Sequence, residues 1–142
     1  MTILKKFPPN YKKIQKAFDL DKEAEIVFTY GTVIYNPTGF QIDESLVAHE
    51  QTHTAQQLKE GKGGRKAIKE IEAWWDRCIS SPQFRLSQEL EAYRNQYKHY
   101  CGIDKDRNKQ NVFLMRIASD LSSPQYGNVI SYGEAIKAIK NV

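Results

Sequence analysis

Three histidines occur among the 142 residues, and two of them stand four apart in His49-Glu50-Gln51-Thr52-His53. Positions i and i+4 of a helix differ by about 40° in azimuth, so both imidazoles leave one face a turn apart. Two ring nitrogens placed this way reach a single zinc ion at about 2.0–2.1 Å. Glu50 is rotated by about 100° from His49, too far to take the same ligand position but near enough to meet a water on the metal. The chemistry open to such a trio is hydrolysis, with a cation polarising a carbonyl and Glu50 acting as general base.

Zinc used in this way takes a third protein ligand and keeps a fourth position open. The downstream candidates are Glu89, Glu91 and His99, all on a stretch that reads as one helix near 86–100. Leu86, Leu90, Tyr93, Gln96, Tyr97 and Tyr100 all fall within about 100° of Glu89 and form the face expected to be inward. Glu91 lies about 200° from Glu89, beside Lys98 and near Arg94, where a wet face is expected. His99 is about 80° off to the other side and some 15 Å along the axis. An acid on the inward stripe asks for a reason, and a metal ligand is one; an ion pair with a core arginine is another. Glu89 is the leading third ligand and Glu91 its alternative.

These residues must be held by elements, and the flanks of the first motif say which. From Ser45 to Leu58 the sole charged residue is Glu50, in a chain that is 27% charged. Asp43 reads as the cap of a helix running to about Lys59, with the glycines of 61–64 as terminator and connection. That glycine-rich stretch lacks phosphate-loop spacing and follows a helix instead of a strand. Upstream, Glu25–Tyr35 is rich in β-branched and aromatic residues and breaks at Gly31, giving two short strands or one bent strand. It is the only segment expected to be β. A short helix is expected over 10–20 with Ile14 and Phe18 inward, and a second over about 65–79 with Ile68, Ile71, Trp75 and Ile79 on one stripe. A helix at 86–100 is expected to end at Gly102. The 108–121 helix would turn Val112, Leu114, Met115, Ile117 and Leu121 inward. Past a turn at 124–127, Ser131-x-x-Glu134 reads as a capping box for a last helix through Ile136 and Ile139. The pattern is a mostly helical α+β domain over 1–142, with no linker long enough to divide it.

Composition narrows the classes. No apolar run approaches the length of a membrane span, and the basic start at Lys5-Lys6 is not followed by an apolar signal region. The expectation is a cytoplasmic protein without a signal peptide, or a virion-associated one if phage-encoded. Two isolated cysteines, Cys78 and Cys101, read as small hydrophobes in a reducing compartment. The net charge of +4 is a mild excess and reads as a solvated basic face. Nucleic acid is not an expected partner, because aromatic and basic residues are not interleaved in any binding motif.

His49-Glu50-Gln51-Thr52-His53 followed by Glu89-Leu90-Glu91-Ala92-Tyr93 resembles the gluzincin class of zinc metallopeptidases. There, a HExxH helix is completed by a glutamate in a Glu-x-x-Ala/Ser-Asp segment of a later helix. The resemblance implies zinc on His49, His53 and Glu89, with Glu50 as general base, and a zincin-like domain whose hairpin or edge strand packs beside the HExxH helix. Ala92 matches the second motif, whereas Tyr93 stands where the class has an aspartate that orients a histidine ligand. The small size and the Phe28–Pro37 segment also resemble short HExxH proteins of phages and bacteria. A peptide or protein substrate is implied, held by strand addition to the β segment. For the developing oxyanion a further donor is needed, and Tyr97, with Tyr93, is the candidate. The alternative function is a zinc-stabilised structural or assembly protein, such as a virion component, that performs no turnover.

Overall fold

The computed structural model describes residues 1–59 and 65–141, so the glycine-rich stretch at 61–64 lies outside the described residues. Three short strands, β1 (Thr2–Leu4), β2 (Phe28–Tyr30) and β3 (Val33–Tyr35), form one sheet in the order β1-β3-β2. β2 and β3 are a hairpin paired Phe28 to Tyr35 and Tyr30 to Val33, and β1 joins the other side of β3 in parallel. Gly31 makes the hairpin possible, since its φ of 63° is left-handed and a side chain there would meet the Ile71 Cδ1 at 3.0 Å. β1 was not expected. Three residues carry too little periodicity to stand out, and their pairing with β3 is a contact across some thirty residues of chain.

The rest is helical: α1 (Tyr11–Phe18), α2 (Glu44–Gln57), α3 (Arg65–Ser80), α4 (Pro82–Ile103), α5 (Arg107–Leu121) and α6 (Tyr132–Lys140), with a 3₁₀ turn at Pro124–Tyr126. The expected α+β, mostly α class is what the chain adopts, with the hairpin packed beside α2. No helix among the described residues is long and apolar enough to cross a membrane. The caps are local and readable. Asp43 accepts from the Leu46 N–H at 2.9 Å. Ser131 accepts from the Glu134 N–H, as in a capping box, while its hydroxyl, in place of its backbone N–H, donates to the Glu134 carboxylate. Helix α4 is longer at both ends than expected. Ser81 caps it ahead of Pro82, and Gly102 stays inside it because the helix closes only at the Asp104 N–H to Tyr100 C=O bond.

Two apolar clusters make the core. One joins Tyr93 to Phe113, Leu114, Ile117, Ala118 and Leu121 of α5 and to Ala135 and Ile139 of α6. The other joins Tyr11 and Ile14 of α1 to Phe28 and Tyr35, with Trp75 and Ile79 of α3 against it. Several residues expected inside lie outside: Ile68, Val112 and Met115 are exposed. On α3 the inward stripe is Ala67, Ile71, Trp74 and Cys78, while Trp75 and Ile79 are half-buried on its flank. On α5, Leu114, Ile117, Ala118 and Leu121 fill the face toward α4 and α6 and leave Val112 and Met115 on the exposed side. Cys78 is buried and Cys101 half-buried, and both are free.

Helix α2 contributes a buried surface that is almost wholly polar: Ser45, His49, Glu50, Thr52, His53, Gln56 and Gln57. Polar groups are tolerated inside only where partners meet them, so the candidate site is sought where α2 finds those partners.

Candidate metal centre

Two stripes run along α2, about 100° apart. His49, Thr52, His53 and Gln56 face α4, whereas Glu50, Thr54 and Gln57 face the hairpin. The second stripe fastens the helix to the strands. Thr54 donates to the Gly31 C=O at 2.7 Å, and the Gln57 amide accepts from the Gly31 N–H at 2.7 Å and donates to the Thr29 C=O at 2.9 Å. A glutamine side chain thus occupies the outer edge of β2 as a short strand would, and the Trp75 indole N–H adds a second bond to the Thr29 C=O. The expected strand addition therefore meets a closed edge at Thr29 and Gly31.

On the first stripe, His49 and His53 are 3% and 5% exposed, and their Nε2 atoms stand 3.2 Å apart. The Glu89 carboxylate reaches both, with Oε2 3.3 Å from His49 Nε2 and Oε1 3.4 Å from His53 Nε2. The ligand atoms of these three residues lie within 4.8 Å of one another. The far sides of both rings are pinned. Gln96 Oε1 is 3.0 Å from His49 Nδ1, and Gln56 Oε1 is 2.8 Å from His53 Nδ1. The Gln56 amide cannot turn round, because its nitrogen donates to the Gln88 C=O and to Glu91 Oε1. With each Nδ1 donating to the glutamine oxygen beside it, each Nε2 presents a lone pair inward.

Lone pairs from two nitrogens and a carboxylate converging on one point repel unless a positive charge sits among them. Glu89 Oε2 is buried with no hydrogen-bond partner among the described residues, as this reasoning requires. His49, His53 and Glu89 are accordingly able to hold a metal ion, and the orphaned carboxylate oxygen is the structural reason. Without a cation a proton takes part of that place. Burial opposes charge on His53, but Glu89 and Glu50 outweigh it and lift the imidazole to about 9. Burial would likewise raise Glu89, yet His53 and His49 hold it well below the usual carboxylate range.

Glu50 is 4% exposed and stands apart from the trio, its Oε1 4.0 Å from His49 Nε2. Its other oxygen accepts from the Thr29 hydroxyl at 2.6 Å. Thr29 is itself fixed by the two bonds to its carbonyl, so the strand holds the carboxylate with one oxygen tied and one free. Glu50 and His49 line a cavity of about 500 Å³ whose other walls include Phe28, Trp75, Arg85, Tyr93 and Tyr126.

The sequence candidates sort cleanly. His49, Glu50, His53 and Glu89 come together. Glu91 is exposed and supports Gln56 instead of facing the centre. His99 lies at the surface, 3.8 Å from Glu44. Tyr97 packs against the α5–α6 cluster with its hydroxyl toward the Cys101 thiol, and it is not on the cavity wall. Tyr93 is on that wall, its ring 4.5 Å from that of His49 and its hydroxyl 2.8 Å from the Tyr126 hydroxyl. Thr29, Gln56, Gln57 and Tyr126 were not singled out from the sequence. Gln56 carried a signal, three residues after His53 on its own stripe. Gln96, seven after Glu89, falls on the same face of α4 as Glu89, but only the fold shows that it meets His49 Nδ1.

Comparison with protein-family models, with curated proteins and with solved structures returns no match to this chain. The chemistry of the centre rests on its own geometry.

Proposed function

We propose that the chain is a small zinc-dependent hydrolase of peptidase type, similar in its site to the gluzincins, with His49, His53 and Glu89 as ligands and Glu50 as general base. The observation that carries this is the division of labour between the two stripes of α2. One gives two inward lone pairs and meets a carboxylate with one oxygen lacking a hydrogen bond; the other gives a carboxylate with one oxygen tethered and one free at the cavity. Two imidazoles and one carboxylate are the donor set that suits zinc and leaves a position open.

Zinc, when bound, supplies the Lewis acidity that polarises a carbonyl and eases removal of a proton from water. Glu50 Oε1 takes that proton, while the Thr29 bond to Oε2 keeps the carboxylate turned toward the cavity. The same oxygen is placed to pass the proton to the leaving amine. His49 and His53 stay in one tautomer through Gln96 and Gln56, so neither competes for it. In the Tyr93–Tyr126 pair one hydroxyl donates to the other, and the second retains a hydrogen for charge that develops beside His49. The substrate class that fits is an extended peptide lying along Ile26–Phe28, which line the cavity next to Glu50.

Elemental analysis and peptide hydrolysis test the reading together. About one zinc per chain is expected, and Glu50→Gln should keep the metal while losing hydrolysis by about a hundredfold or more. A folded protein free of stoichiometric metal sinks the proposal. Full zinc occupancy with no turnover, and a melting point that drops on chelation, would instead favour the zinc-stabilised assembly protein.

A further inference from the structure

Arg85 lies on α4 four residues before Glu89, so the two side chains leave one face of the helix about a turn apart. It is 7% exposed. A guanidinium this deeply buried is ordinarily matched by a carboxylate. Among the described residues none stands within ion-pair distance of it, Glu89 included.

Its partners are neutral. Nε donates to the Tyr126 C=O at 2.9 Å, and Nη1 donates to the Cys78 C=O at 2.6 Å and the Ile79 C=O at 3.4 Å. The Phe18 ring lies 5.0 Å from Cζ. These bonds tie the end of α3 to the 3₁₀ turn and account for Nε and Nη1. Among the described residues they leave Nη2, which rests beside Gly127, without a hydrogen-bond partner, on a residue that lines the cavity.

The other charged residues on the wall, those of the proposed centre apart, are exposed. With zinc bound as proposed above, its two positive charges are balanced by Glu89 and Glu50. Asp43 is taken up by the start of α2 and, like Asp120, lies in the field of Arg116, while Glu25 is exposed. Among the described residues Arg85 is thus the buried cation of the wall, and no carboxylate pairs with it.

The geometry points to Arg85 as the group that recognises a carboxylate on the peptide substrate, carried by a residue next to the bond that is cut. One helical turn is about 5.4 Å, and neighbouring peptide residues are about 3.8 Å apart, so the carboxylate belongs to an adjacent residue and not to a distant one. Its source is either an aspartate or glutamate side chain or the free carboxyl terminus. This inference rests on the peptidase reading.

The zinc-loaded protein is incubated with a mixture of peptides of defined sequence, and the cuts are mapped by mass spectrometry. Side-chain recognition gives cuts beside Asp or Glu, with kcat/KM about tenfold or more lower for the Asn or Gln counterpart. Terminal recognition gives cuts beside the last residue that disappear when the peptide is amidated. Either result supports the inference. Cutting that is indifferent to both changes overturns it. In Arg85→Gln the ratio between charged and neutral peptides should fall toward one, and an unchanged ratio in a folded variant of normal zinc content also overturns it. Should that variant fail to fold, Arg85→Lys retains the charge without the planar fork, and a reduced ratio is expected; an unchanged one again counts against Arg85. No cleavage of any peptide overturns the peptidase reading and this inference with it, whereas cleavage without preference removes this inference alone.

Discussion

The bond between Thr29 and Glu50, at 2.6 Å, is the shortest route by which the sheet acts on the chemistry. A buried carboxylate that loses such a donor is both less well held and less well solvated. Thr29→Val keeps the shape and removes the hydroxyl, so kcat should fall about tenfold with zinc content unchanged, and Thr29→Ser should restore most of it. Steady-state kinetics with metal analysis separates this outcome from a folding defect. Gln96 acts on the other side of the centre. Gln96→Leu removes the acceptor for His49 Nδ1 and frees the ring to change tautomer, which should weaken zinc binding by about ten- to a hundredfold. A competition titration against a chelator would register that change, and an unaltered affinity would show that Gln96 does not orient His49.

Among the elements, the hairpin matters because α1 and α3 clamp it while α2 borrows its edge. Tyr30 donates to Glu72 of α3 at 2.7 Å, and Lys13 of α1 bonds the same carboxylate at 3.1 Å and Asp76 at 2.8 Å. Burial, reinforced by the Glu72 hydrogen bond, raises the Tyr30 phenol from 10.0 to about 12. A phenol with a higher pKa folded than unfolded holds its proton more tightly in the folded state. Its contribution is therefore whole below pH 10 and is lost as the pH rises through about 12. Urea midpoints measured across that interval should fall more steeply for the native chain than for Tyr30→Phe, which has no proton there to lose. Parallel curves would show that the clamp does not feel this titration.

For the molecule as a whole, the centre lies between two apolar clusters. Tyr93 of one touches His49, and Phe28 of the other neighbours Thr29, which holds Glu50. An ion bound only by the folded arrangement stabilises it by mass action, by about 4 kcal/mol at a thousand times its dissociation constant. Removing metal with a chelator should thus lower the melting temperature by several degrees, and zinc should restore it while magnesium does not. Calorimetry with and without chelator measures this directly, and an unshifted transition would place no ion at the centre. The exposed Val112 and Met115 belong to the same scale, since α5 has only one face that α4 and α6 can cover.

How much of this was legible beforehand follows from the range over which each interaction acts. The His49–His53 spacing, the Asp43 and Ser131 caps, the break at Gly31 and the helical character of the chain depend on neighbours within a few residues, and the sequence by itself determined them. Placing Glu89 toward the histidines and Glu91 away from them needed only the pitch of α4 and one apolar stripe. The β1–β3 pairing, the Gln57 amide on the strand edge, the Thr29 bond to Glu50 and the bond from Arg85 to Tyr126 join residues 21 to 41 positions apart. Whether a buried amide or arginine meets a partner is settled by the packing of other elements, because hydrogen bonds depend on ångström placement that no periodicity encodes. Tyr97 and Tyr93 show the difference most simply. Both share a face of α4, and only the neighbours that pack there decide which hydroxyl opens on the site and which is turned to Cys101.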